Sequence, residues 1–190
     1  MSKRDRLPVT EVEKEKFLEE DLFYSLWILF EGAIMWKAIE KNKEEKVRHQ
    51  QVLAMYTSLV QARLLYEFFS KKTPKDDDAV VKDFSNGWIP HAPLSEKYLG
   101  HKKAGNKRLF HLVYQRSLHH GGGNDSEEGY LNKQVLNLAI ELFNLTKEFV
   151  DKAKPSYKLI IKEALDKAIG EAQNAANFYG IVSVPLFRRF

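Results

Sequence analysis

Apolar side chains are densest over residues 22–36, where both sides of a helical wheel are apolar. A helix greasy all round belongs at the centre of a fold. Its start is marked upstream: Pro8 precedes Thr10, and Glu13 follows three residues later, which is the Ser/Thr-x-x-Glu capping box. The pattern predicts a first helix over residues 10–42, bending at Gly32. A second helix is predicted over 43–70. Val52, Met55, Leu59, Ala62, Tyr66 and Phe69 recur there in alternating steps of three and four, the seam of a packed helix pair. Arg63 and Glu67, four apart beside that seam, read as a surface ion pair.

Breakers dominate residues 71–93, with Pro74, Asn86-Gly87, Pro90 and Pro93. Asp76, Asp77 and Asp78 read as acids opening a short helix over 76–84, where they favour the helix dipole. The spacing and closing Glu of an EF-hand are missing. Trp88 is expected to plug one end of the core. A third main helix is predicted over 103–118, then a glycine-rich connection over 119–125. A fourth begins near Asn132, with Val135, Leu138, Leu142, Leu145 and Phe149 in the same rhythm. Pro155 either opens a fifth helix or kinks a continuous one. Ile161, Ala164, Leu165, Ala168, Ala172 and Ala175 line its buried face, the alanines implying close helix approach, and Gly180 is the expected C-cap. No repeat and no run of strands is visible. The expectation is an all-α fold: an up-and-down bundle of four to five long helices with a long irregular connection between the second and third. It forms a single helical domain over 1–190, with 1–9 and 181–190 as peripheral tails.

Composition narrows this picture. A chain of 190 residues suits one domain with one core. The absence of cysteine removes disulfides, thiolate nucleophiles, iron–sulfur clusters and cysteine zinc sites, and matches a cytoplasmic address. The apolar run at 22–36 is shorter than the roughly 18–20 residues a membrane span needs and carries Glu31, so no membrane association is expected.

The net charge of +4 is modest, but its distribution is not even. Residues 97–124 contain no Asp or Glu. They hold Lys97, Lys102, Lys103, Lys107, Arg108 and Arg116, with His101, His111, His119 and His120. Such a patch favours phosphate-bearing partners, chiefly RNA or nucleotides; the plainer reading is a basic helix neutralised by acids of its neighbours. On a helix, Leu109, Leu112 and Val113 form one stripe and His111 stands nearly opposite. Lys107 and Arg108 lie one turn before His111, and Tyr114 lies three residues after it. Flanking cations lower an imidazole pKa, which keeps it neutral and able to accept a proton near neutral pH. Lys107 and Arg108 would hold a phosphate beside it. The plainer reading of His111 is a histidine hydrogen-bonded inside the bundle.

Asn106-Lys107-Arg108-Leu109-Phe110-His111, late in the third helix, resembles the HEPN family, as does the preceding-helix sequence Arg63-Leu64-Leu65-Tyr66-Glu67-Phe68-Phe69. The resemblance covers residues 43–118. It implies a helical bundle, often dimeric, and in many members a metal-independent ribonuclease of toxin–antitoxin, defence or RNA-processing systems. The family's signature sets an Arg ahead of the His with four to six residues between them. Those positions are Ala104, Gly105 and Asn106 here; Lys103 lies one step too far and Arg108 too near. On this reading the catalytic set is His111, Arg108, Asn106 and Arg116. The phosphate-binding set is Lys102, Lys103, Lys107 and Tyr114. The implied partners are RNA or a nucleotide, a cognate protein and a second copy in a homodimer. Neither metal nor cofactor is expected: the glycines beside His119, His120 and Asp125 preorganise no metal site, and Gly121-Gly122-Gly123 lacks the residues of a phosphate loop. The competing expectation is a non-catalytic protein–protein interaction module or a structural homo-oligomer.

Overall fold

The computed structural model describes residues 9–39, 45–70, 78–90 and 128–179. Among them the chain is all-α. One continuous helical rod comes first, made of α1 (Glu11–Lys16), a π-turn (Phe17–Leu22) and α2 (Phe23–Ile39). It opens as its sequence dictates. The Thr10 hydroxyl accepts the Glu13 N–H at 3.2 Å and the Glu13 carboxylate accepts the Thr10 N–H at 2.8 Å, closing the capping box.

The π-turn has a cause in the leucine spacing. Leu18, Leu22 and Leu26 step by four each time, yet all are at most 1% exposed. At 3.6 residues per turn, two such steps drift by about 80° on a pure α-helix. A turn bonded i→i+5 takes up the extra residue and keeps the three leucines on one face. The irregularity of this rod therefore falls at Phe17–Leu22, whereas α-helix runs unbroken through Gly32, where a bend was expected.

Gly32 does a different job. A Cβ there would lie 2.2 Å from Ser58 Oγ and 3.0 Å from the Ala54 carbonyl oxygen. Both neighbours belong to α3 (Glu45–Ser70), which packs along α2. Ser58 is buried and donates to the Ala54 carbonyl at 2.9 Å. Met55, Ala62, Tyr66 and Phe69 of the predicted seam are buried and Leu59 is partly so; the side chain of Val52 lies outside those described.

No helix starts at Asp78, the one residue of the acidic run that is described. Asp78 precedes helical structure, Asp76 and Asp77 lie outside the described residues, and the short helix α4 spans only Val81–Phe84. The acid that closes its first turn is Asp83, whose carboxylate accepts the Val80 N–H at 3.0 Å. This turn is pinned to the junction of the last two helices. Lys154 N–H donates to the Phe84 carbonyl at 2.8 Å, Lys154 Nζ donates to the Asp83 carbonyl at 2.8 Å, and Ser85 and Ala153 form an isolated β-bridge. Gly87, at φ +77°, turns the chain through the left-handed region so that Trp88 stacks on Phe149 at 6.0 Å, as a plug should.

Helix α5 (Glu128–Lys152) begins slightly before Asn132, and all five residues of its predicted stripe are buried. Pro155 stands at the first turn of a separate helix, α6 (Pro155–Phe178), so it starts a helix and does not kink one. Ile161, Ala164, Leu165, Ala168 and Ala172 are buried and Ala175 is half-buried. These small residues let α6 lie close to α2. Helix α6 ends with Tyr179 N–H donating to the Ala175 carbonyl at 3.0 Å, and Gly180 lies outside the described residues. Phe68, Phe69, Phe84, Phe149 and Tyr157 join in edge-to-face and tilted pairs at 5.0–5.9 Å, which welds α3, α4, α5 and α6 at one end of the core. No described helix is long and apolar enough to cross a membrane.

Candidate functional site

Every residue assigned to the phosphate site from the sequence lies outside the described residues: Lys102, Lys103, Asn106, Lys107, Arg108, His111, Tyr114 and Arg116. The same holds for His119, His120 and Asp125. Of the sequence that resembles HEPN, the stretch from Arg63 to Phe69 is described. Its apolar residues Leu65, Phe68 and Phe69, with Tyr66, are buried in the core. Arg63 Nε donates to Glu67 Oε1 at 3.3 Å, the i,i+4 pair expected, and both side chains are about two-thirds covered, at 32% and 29% exposure.

Among the described residues, a cleft of 410 Å³ opens where the π-turn faces α3. The first rod contributes Phe17, Asp21, Leu22, Tyr24 and Ser25; α3 contributes Gln61, Leu64, Leu65, Glu67 and Phe68; Asp78 and Ala79 close one side. Bonding i→i+5 sets Phe17 and Leu22 above one another on the cleft wall. Leu22, Leu65 and Phe68 are buried and form an apolar floor, whereas Tyr24 and Leu64 are half-exposed at the mouth. Three carboxylates line the cleft, and no Lys, Arg or His among the described residues does. The Gln61 Oε1 atom is buried without a hydrogen-bond partner. A buried acceptor left unsatisfied costs about 1–3 kcal/mol, so such atoms call for an explanation.

A second polar cluster ties α1 to α6. The buried Tyr157 hydroxyl donates to the Glu11 carboxylate, whose other oxygen accepts Lys14 Nζ at 2.6 Å. Burial first, then the bond to the Glu11 carboxylate, push the Tyr157 pKa from 10.0 up to about 12. Hydrogen bonds from Lys14 and then Tyr157 hold Glu11 below the usual carboxylate value. The phenol faces Glu11 and packs on Phe84, and it lines no part of the cleft. The cluster is a structural clasp. No group of three His, Cys, Asp or Glu side chains suited to a metal occurs among the described residues.

Sequence reading missed the cleft. Asp21 and Gln61 look like ordinary surface polar residues, and only the repeated four-residue leucine step hints at the wide turn that brings them together. No family model matches the chain, and no curated protein or solved structure is significantly similar to it.

Proposed function

We propose that this chain is a HEPN-like helical protein that binds RNA, or another phosphate-bearing ligand, through residues 102–116. One observation carries the reading: the separation of charge along the chain. Residues 97–124 hold six Lys and Arg and no acid, so the remaining sequence has 24 basic and 26 acidic side chains, a net of −2 beside a local +6. A polyanion would find one favourable segment on an otherwise slightly acidic molecule. The all-α scaffold is compatible with the family, and Arg63 to Phe69 supplies a packed helix of the kind that precedes the family's site.

In the binding form, Lys102, Lys103, Lys107 and Arg108 contact phosphate, with Asn106 and Tyr114 orienting the ligand. In the catalytic form, His111 is the acid–base residue, Arg108 and Arg116 stabilise the phosphate charge, and a homodimer brings two such segments together. No metal is required by either form. Incubation of the protein with RNA in excess chelator, beside His111→Ala, tests the catalytic form. Cleavage by the parent and its loss in the variant are expected; no cleavage, or equal cleavage, removes it. The binding form is tested separately by titrating RNA affinity against salt. Affinity that ignores salt refutes phosphate contact and leaves a helical protein–protein module as the reading.

A further inference from the structure

Helices α3 and α5 point the same way. Their C-terminal ends meet in the aromatic cluster, where Phe69 and Phe149 pair at 5.7 Å. Trp88 stacks on Phe149 at that end, so the described chain breaks off at Pro90 close to it. It resumes at Glu128, on the same helix as Phe149 but about 32 Å away at 1.5 Å per residue. Residues 91–127 therefore return along the bundle, antiparallel to α3. The helix expected over 103–118 would cover about 24 Å of that distance.

A face of α3 is open to receive it. Leu53 and Leu64 are 65% and 49% exposed and Val60 is partly so, and the three fall within about 40° of one another on the helix. Tyr24, half-exposed, shares the cleft mouth with Leu64. An apolar stripe left open in this way marks a contact surface. At its Leu64 end the cleft carries the carboxylates of Asp21, Glu67 and Asp78, with no cation lining it among the described residues.

The returning segment matches this face in both polarity and charge. Leu109, Leu112 and Val113 form its apolar stripe, and Lys102 and Arg116 fall on the same side, one beyond each end. Residues 97–124 hold no acid. Antiparallel travel brings Lys102 to the Leu64 end, where the cleft acids stand. A second copy meeting this face through its own would bring a second set of those carboxylates instead of their counter-charge.

We propose that residues 102–118 dock as a helix antiparallel to α3, with Leu109, Leu112 and Val113 seated on Leu53, Val60 and Leu64, and Lys102 beside Asp21. Lys103, Lys107, His111 and Tyr114 then face outward, which narrows the phosphate set to that side. The docking itself stands whether or not RNA binds.

The sequence has no cysteine, so introduced pairs report proximity without background. A disulfide closes only when the two Cα atoms come within about 7 Å. The full chain is oxidised mildly at low concentration and read by intact mass and non-reducing electrophoresis. Leu64→Cys with Leu109→Cys, and Val60→Cys with Leu112→Cys, should close within one chain. Closure should be at least about tenfold more complete than for the same α3 cysteines paired with His111→Cys. A second variant avoids new bonds: Leu64→Lys, at an exposed position, should speed amide exchange over 103–118 by at least about tenfold while α6 keeps its protection. Equal closure by the Leu109 and His111 cysteines overturns the docking. So do amides over 103–118 that are unprotected in the parent or unmoved by Leu64→Lys. Closure only between two chains also overturns it and makes a second copy the occupant. RNA takes no part in these readouts, so the docking and the phosphate reading fail separately.

Discussion

Gly32 and Ser58 show how much can turn on one missing methyl group. The helices α2 and α3 approach so closely that a Cβ at position 32 would collide with the Ser58 hydroxyl and press on the Ala54 carbonyl. Alanine is the better helix former by about 1 kcal/mol, yet overpacking costs about 1–3 kcal/mol, so Gly32→Ala should lower stability. Ser58→Ala removes the nearer obstacle, and the double variant should recover part of the loss; urea midpoints of the four proteins check this. Tyr157 carries the pH dependence at this scale. Its pKa is raised to about 12, so the folded state keeps a proton that the unfolded chain releases near pH 10. That stability is fully present below pH 10 and disappears as the pH climbs through about 12. Glu11, lowered from 4.5, acts at the other end: its contribution is present above that value and is lost as the pH falls. Ultraviolet titration should show a tyrosine ionising near pH 12, and Tyr157→Phe should abolish that late step.

At the level of elements, the first rod is held in register by its π-turn. Glu19 and Glu20 are exposed residues within it, and deleting either would let the rod close into plain α-helix. The lost residue and the lost wide turn are each worth about 100° and cancel, so Phe17, Leu18 and Glu11 keep their faces and the deletion should leave the thermal midpoint nearly unchanged. An alanine inserted at the same place has no such compensation: it should rotate α1 by about 100°, part Glu11 from Tyr157 and expose α1 to rapid hydrogen exchange while α5 and α6 keep their protection. Most elements are legible in the sequence because their stripes are strong: the capping box at Thr10 and the buried stripe of α5 are found as read. The helix expected at 76–84 shrinks to Val81–Phe84, because a cluster of acids favours a helix start without compelling one, and Asp83 alone closes the turn. The π-turn escapes notice because one extra residue per turn changes hydrophobic spacing only slightly.

At the scale of the whole molecule, charge is unevenly divided along the chain, with six Lys and Arg and no acid in residues 97–124. The segment 97–124 should bind RNA with an affinity that falls as salt rises, with a slope of about 0.7 per phosphate contact for single strands. Replacing Lys107 and Arg108 together should flatten that slope by about 1.4 and weaken all RNA sequences alike. Fluorescence anisotropy over a salt series reads both numbers.

What the amino-acid order alone determined is the all-α class, the placement of α3, α5 and α6 and the plugging role of Trp88. These follow from short-range periodicity and local capping, which neighbouring residues decide between themselves. Whether Pro155 starts a helix or kinks one was decided by the packing. Tertiary structure alone decided that Gly32 serves a helix crossing, that Glu11 meets Tyr157 and that Asp21 shares a cleft with Gln61. Each of those pairings joins residues far apart in the chain, and it exists only once the packing of one helix on another has set their faces together.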